Sequence, residues 1–143
     1  MKGKDTKSAI SPEDYRKTLD HVQLISITMD ACSVKVNRGK ADGNMNIDVK
    51  NKRSYSIEDE KNIVVASNYD LVATKTTKKE FALKIMCTYR IVFSTEKPVT
   101  DDFMDVFMDI NLPMNTWPYF REFVQNMVQR SGFPQLTLPL LKR

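Results

Sequence analysis

Histidine is nearly missing from this sequence: His21 is the single one in 143 residues. A hydrolytic triad or a histidine-built zinc centre needs more than that, so His21 reads as structural or surface. Glycine is also scarce, at four. Gly3, Gly39, Gly43 and Gly132 form no glycine-rich phosphate cradle, and no GxGxxG, P-loop, GxSxG or HExxH motif occurs. The two cysteines, Cys32 and Cys87, make no CxxC pair and stand with no His/Cys cluster. They read as buried free thiols of a reducing compartment, without a structural zinc site. No apolar run approaches the ~18–20 residues that span a bilayer, so membrane insertion is not expected. The start, Met1 to Ser11, is Lys-rich but is followed by no apolar stretch of the secretory kind, which makes the cytoplasm the expected compartment. These absences leave no catalytic residue, metal or cofactor to assign, and a non-enzymatic protein is the expectation.

What is present is an ordinary globular balance, 41% hydrophobic and 28% charged, enough for one domain with a real core. The net charge of +4 comes from scattered lysines and arginines, among them Lys35, Lys50, Lys52, Lys75, Lys78, Lys79 and Lys84. No helix carries a concentrated basic face with interleaved aromatics, so nucleic acid is not an expected partner. Asp101, Asp105 and Asp109 fall at i, i+4, i+8. That spacing could serve a divalent metal, but without an oxygen-rich loop it reads as a solvated outer face. Eight methionines suit either core filling or an adaptable binding surface.

Period-two alternation organises the first two thirds of the chain. His21 to Asn37 reads as a strand with Ile25, Ile27 and Met29 on its apolar face. Arg38 to Asn44 is a turn, and Met45 to Ile57 a second strand. Glu58 to Asn62 interrupts with charge before a third strand, Ile63 to Thr76. After the turn Thr76 to Lys79, Glu80 to Thr95 is the clearest strand, with Phe81, Leu83, Ile85, Cys87, Tyr89, Ile91 and Phe93 on one face. Four long strands joined by short turns suggest an antiparallel meander. Apolar residues on both faces, such as Ile63 and Leu71 against Val64 and Val72, suggest burial on both sides.

The period then changes to that of a helix. Ser11-Pro12-Glu13-Asp14 and Thr100-Asp101-Asp102 have the form of helix starts. Phe103, Val106, Phe107 and Ile110 follow the second at helical spacing. Leu112 to Asn115 reads as a break, followed by a helix from about Thr116 to Arg130, with Pro118 in its first turn and Gly132 as its stop. The expected fold is therefore α+β: a four-stranded antiparallel sheet followed by helices packed on one face. Residues 1–11 are expected to be flexible and residues 12–143 to form one domain.

The last third resembles SecB, the family of tetrameric bacterial export chaperones. The family places Phe-Pro-Tyr-Ala-Arg-Glu at the start of its long helix, where this chain has Trp117-Pro118-Tyr119-Phe120-Arg121-Glu122. It places Phe-Pro-Gln-Leu-Asn-Leu just past that helix, where this chain has Phe133-Pro134-Gln135-Leu136-Thr137-Leu138. The spacing between the two segments also agrees, and the resemblance runs over roughly residues 20–139.

The resemblance implies an ATP-independent holdase that takes unfolded polypeptides, either preproteins or a dedicated client such as an antitoxin, into hydrophobic grooves. It implies a homo-oligomer, dimer or tetramer. By position, Phe81, Leu83, Ile85, Phe133, Pro134, Leu136 and Leu138 are the candidates for client binding. Trp117, Tyr119, Phe120, Val124, Met127 and Val128 are the candidates for the oligomer interface. Two departures stand out. The sequence ends at Arg143, where the family continues into a second helix, and it is basic where the family presents an acidic sheet to the translocase motor. A non-catalytic module for one folded partner is the alternative, and a metal-assisted enzyme using the aspartate face ranks last.

Overall fold

The computed structural model describes residues 10–40, 45–75, 80–134 and 139. Four strands, β1 (Val22–Val36), β2 (Met45–Glu58), β3 (Asn62–Lys75) and β4 (Phe81–Thr95), lie close to the limits that alternation predicts. A short helix, α1 (Pro12–Leu19), precedes them, and α2 (Asp101–Asp109) and α3 (Asn111–Arg130) follow. The helix starts are built as expected: the Ser11 hydroxyl accepts from Asp14 N–H, and the Thr100 hydroxyl accepts from Phe103 N–H.

The sheet is not a simple meander. Its order is β1-β4-β3-β2, antiparallel throughout, so the first two strands occupy opposite edges. The end of β1 and the start of β2, which the sequence joins through residues 37–44, lie on opposite edges of the sheet. The distance is three strand spacings, about 14 Å, which a segment of that length spans easily. Alternation reports which residues share a face but not which strands are neighbours, and it could not have placed β1 beside β4.

One face of the sheet carries the core. Ile63, Val65, Leu71 and Ala73 of β3 and Leu83, Ile85, Cys87, Ile91 and Phe93 of β4 are buried there with Phe103 and Phe107 of α2 and Leu112, Phe120, Val124 and Val128 of α3. Aromatic contacts join the layers. Phe93 meets Phe107 edge-on with centroids 4.8 Å apart, and Phe120 stacks on Tyr69 at 4.7 Å. Buried polar groups are paired: the Tyr69 and Thr116 hydroxyls lie 2.7 Å apart, and Ser67 accepts from Asn51 Nδ2. The opposite face is open. Val64 and Val72 are half-buried there among Asn68, Asp70, Lys84 and Arg90, and among the described residues no second layer packs on that face.

The helix layer differs from expectation at one joint. Ile110 separates α2 from α3, and Leu112-Pro113 lies inside the first turn of α3, where a missing N–H costs no helix bond. Pro118 accordingly falls in the helix interior, not in a first turn. At the far end Gly132 adopts φ +76°, its N–H reaching Gln129 C=O at 3.1 Å and Phe133 N–H reaching Val128 C=O at 3.2 Å. This paired stop fixes where Phe133 emerges.

Burial raises the pKa of three tyrosines packed against the helix layer, Tyr15, Tyr69 and Tyr89. The Tyr15 hydroxyl, which donates to Asn111 Oδ1, is pushed up to about 12, and Tyr69 and Tyr89 are pushed up as well. These groups stay protonated in the folded chain above pH 10, where an unfolded chain releases the proton. Folding stability is thus intact below about pH 10 and falls as pH rises from there through 12. Urea midpoints at pH 8 and pH 11 should show this drop. Tyr15→Phe should reduce its size, and equal midpoints for the wild type would contradict the assignment.

Candidate functional site

β1 runs for 15 residues along the sheet edge, about 50 Å, and among the described residues it pairs with a strand, β4, on one side only. Register shifts between Leu24 and Ser26 and between Met29 and Ala31 divide it into three blocks. Each bulge adds one residue to β1 and so swaps which face the following residues occupy. The partners on β4 show the result. Val22 and Leu24 lie opposite Thr95 and Phe93, Ile27 and Met29 opposite Ile91 and Tyr89, and Cys32, Val34 and Val36 opposite Cys87, Ile85 and Leu83. All seven therefore face the helix side. Strict alternation had set Ile25, Ile27 and Met29 against Val22 and Leu24; the bulges bring these blocks into one stripe and leave Ile25 without a register partner.

The helices cover only part of that stripe. Leu24 is 45% exposed, Met29 44% and Val36 36%, with Ile25 58% exposed beside them. Cys32 is also exposed, contrary to the expectation of two buried thiols, whereas Cys87 opposite it is buried. On the other edge, polar contacts close the middle of the same side. Tyr55 donates to Asp101 at 3.2 Å, and Arg53 reaches Met108 C=O and Asp109. Ile47 and Ile57 remain partly exposed at the ends of β2. Exposed apolar side chains beside an unpaired strand edge offer an extended peptide both side-chain contacts and backbone hydrogen bonds.

The client-binding candidates separate into three groups. Leu83 and Ile85 are each 1% exposed, in the core beneath the helix layer, so a client cannot touch them on the folded chain. Phe81 is displaced by a third bulge, between Ala73 and Thr74. It lies opposite Thr74 and packs with Lys84, whose Nζ is 4.4 Å from the ring, on the open face. Phe133 is half-buried beneath Arg38, which also donates to Ser131 C=O, and Pro134 beside it is exposed. Leu136 and Leu138 lie outside the described residues.

The interface candidates divide likewise. Phe120, Val124 and Val128 are spent on the chain's own sheet, because the apolar stripe of α3 is the side that packs. Trp117 is half-buried against Tyr69 and donates to Pro139 C=O at 2.8 Å, bringing that residue back to the second turn of α3. Tyr119, 50% exposed, and Met127, half-buried, remain accessible. The exposed edge of β1 was the surface that sequence reasoning missed. Its signal was present, as Leu24, Ile25, Val34 and Val36 interrupting a two-residue period.

The other sequence candidates have local roles. His21 Nδ1 meets Glu96 Oε1 at 2.8 Å on the surface. Asp101 and Asp109 engage Tyr55 and Arg53, and the described residues contain no group of three metal-ligating side chains. Among them, no helix is long and apolar enough to cross a membrane.

Comparison with known proteins agrees with this architecture. The fold matches that of a SecB-like chaperone of Mycobacterium tuberculosis, Rv1957, solved in complex with a peptide from the HigA1 antitoxin. The TM-score is 0.77 at 17% identity, covering 90% of this chain and 97% of that one. A protein of unknown function from Streptococcus agalactiae matches at TM-score 0.44 and 9% identity, over 83% and 97% of the two chains. Curated protein sequences give no match. Residues 22–141 match the family described as preprotein translocase subunit SecB, and the chain belongs to that family.

Proposed function

We propose that this protein is an ATP-independent holdase that keeps client polypeptides unfolded by seating them along the β1 margin of its sheet. The observation that carries the reading is the incompletely covered apolar stripe of Leu24, Met29 and Val36 on a long strand with one unpaired edge. A holdase needs apolar surface for a client's side chains and free backbone for strand addition, and this edge offers both. By binding only the unfolded state it holds clients through mass action, which consumes no nucleotide. Met29 adds a flexible thioether that adapts to unlike side chains.

Membership of the SecB family supports the reading, as does the antitoxin peptide held by the relative of the same fold. Phe133 and Pro134 extend the client surface at the end of α3. The protein works in the cytoplasm as a homo-oligomer, with Tyr119 and Met127 on the accessible side of the interface helix. Binding at several subunits then adds up along one client. Clients are preproteins or a dedicated antitoxin. The basic charge sets this chain apart from an acidic docking surface for the translocase motor, which favours the dedicated role.

The test is light scattering from two unrelated, chemically unfolded and slow-folding proteins diluted into buffer without ATP, at stoichiometric amounts of the chain. Suppressed aggregation of both is the expected result. Undiminished scattering with every client would sink the general holdase and leave a module for a single partner.

A further inference from the structure

Cys32 and Cys87 are far apart in sequence and directly opposite each other in the sheet. Both project to the helix side, and both are reduced. Directly opposed residues of an antiparallel pair have Cα atoms about 4.5–5.5 Å apart, inside the ~4.4–6.8 Å range that disulfides span. The two thiols differ in surroundings. Cys32 is exposed on the edge strand, whereas Cys87 is fully buried on an inner one. Burial pushes the Cys87 thiol's pKa up. The register shift between Met29 and Ala31 lies immediately before Cys32, and among the described residues no strand pairs with the outer side of β1. The edge strand can therefore adjust to bring the sulfurs together at little cost.

We propose that Cys32 and Cys87 form an oxidation site that closes a reversible disulfide between β1 and β4 when hydrogen peroxide reaches Cys32. The exposed Cys32 thiolate attacks one peroxide oxygen. The O–O bond breaks, an S–O bond forms, and hydroxide departs to leave a sulfenic acid. The Cys87 sulfur then attacks the Cys32 sulfur. The S–S bond forms, the S–O bond breaks, and the leaving hydroxide takes the Cys87 proton as water. The two thiols together lose two electrons and the peroxide gains them, giving two waters in all. Cys32 is the attacking residue because it is reachable; Cys87 resolves the intermediate because it lies against it. The bond would pin the edge strand that carries the exposed stripe to its neighbour.

The site is tested on the full chain alone, so its outcome does not depend on client binding. The chain is treated with a small excess of hydrogen peroxide, alkylated after unfolding, and mapped by mass spectrometry. Both thiols should disappear together, the Cys32 and Cys87 peptides should appear joined, and dithiothreitol should restore them. In Cys32→Ser, oxidation of Cys87 should be about tenfold slower, since a buried thiol reacts poorly. In Cys87→Ser, Cys32 should stop at a sulfenic acid that dimedone traps. Cys87 remaining alkylatable in the wild type, while Cys32 passes to higher acids or bridges two chains, would overturn the proposal.

Discussion

Phe120→Ala should cost this protein about 3–5 kcal/mol, the range for truncating a fully buried phenylalanine. The ring is 0% exposed, stacks on Tyr69 at 4.7 Å with an 11° tilt, and touches Trp117 at 6.2 Å. It is also the anchor of α3. One turn earlier Thr116 pairs with Tyr69, and one and two turns later Val124 and Val128 continue the same buried stripe. Removing the ring opens a void that the sheet cannot fill, because strand spacing is fixed by its hydrogen bonds. A domain of this size has only about 5–15 kcal/mol to lose. With a urea slope of about 2 kcal/mol per molar, the midpoint should fall by about 2 M. Phe120→Leu, which keeps most of the volume, should lose less than half as much. A loss under about 1 kcal/mol for the alanine variant would mean that α3 is held mainly through its contacts with α2.

How far the sequence discloses this molecule depends on what each residue must satisfy. Strand limits are legible because alternation is a local property, and β4 shows it over most of its length. The pairing of β1 with β4 is not legible, since any two half-apolar strands satisfy the same pattern and only the packed sheet chooses between them. Bulges are harder still. Phe81 looks like a member of the Leu83 and Ile85 face until one extra residue turns it over, and the two shifts in β1 regroup its apolar residues in the same way. Leu83, Ile85, Phe120, Val124 and Val128 show a related ambiguity. A side chain that must avoid water has the same sequence signature whether its cover is its own helix layer, a client or a second subunit. Two proline-containing segments carried the family likeness because prolines fix backbone shape, which survives changes of the surrounding residues.

Placing charge on the β1 stripe should separate holding from folding. Leu24 and Met29 are already nearly half exposed, so Leu24→Asp with Met29→Asp should cost the chain about 2 kcal/mol, which a domain with about 5–15 kcal/mol of stability survives folded. Against a client the same change is severe. Each side chain would lose about 1 kcal/mol of apolar burial, half the value for a fully buried residue of that size. Two such losses weaken binding about 30-fold, and a carboxylate forced under the client weakens it further. Thr28→Asp is the matched control. It adds a charge to the same strand but on the open face, opposite Arg90, where it removes no apolar surface. The double variant should fail to suppress aggregation at concentrations where the control still does, with both giving the same circular dichroism and both melting well above the assay temperature. The molar mass of each in solution must be read alongside. A variant that falls to monomers as it loses activity would assign the stripe to subunit contact, and one that keeps both its mass and its holding would move the client surface to the Phe133 end of the helix.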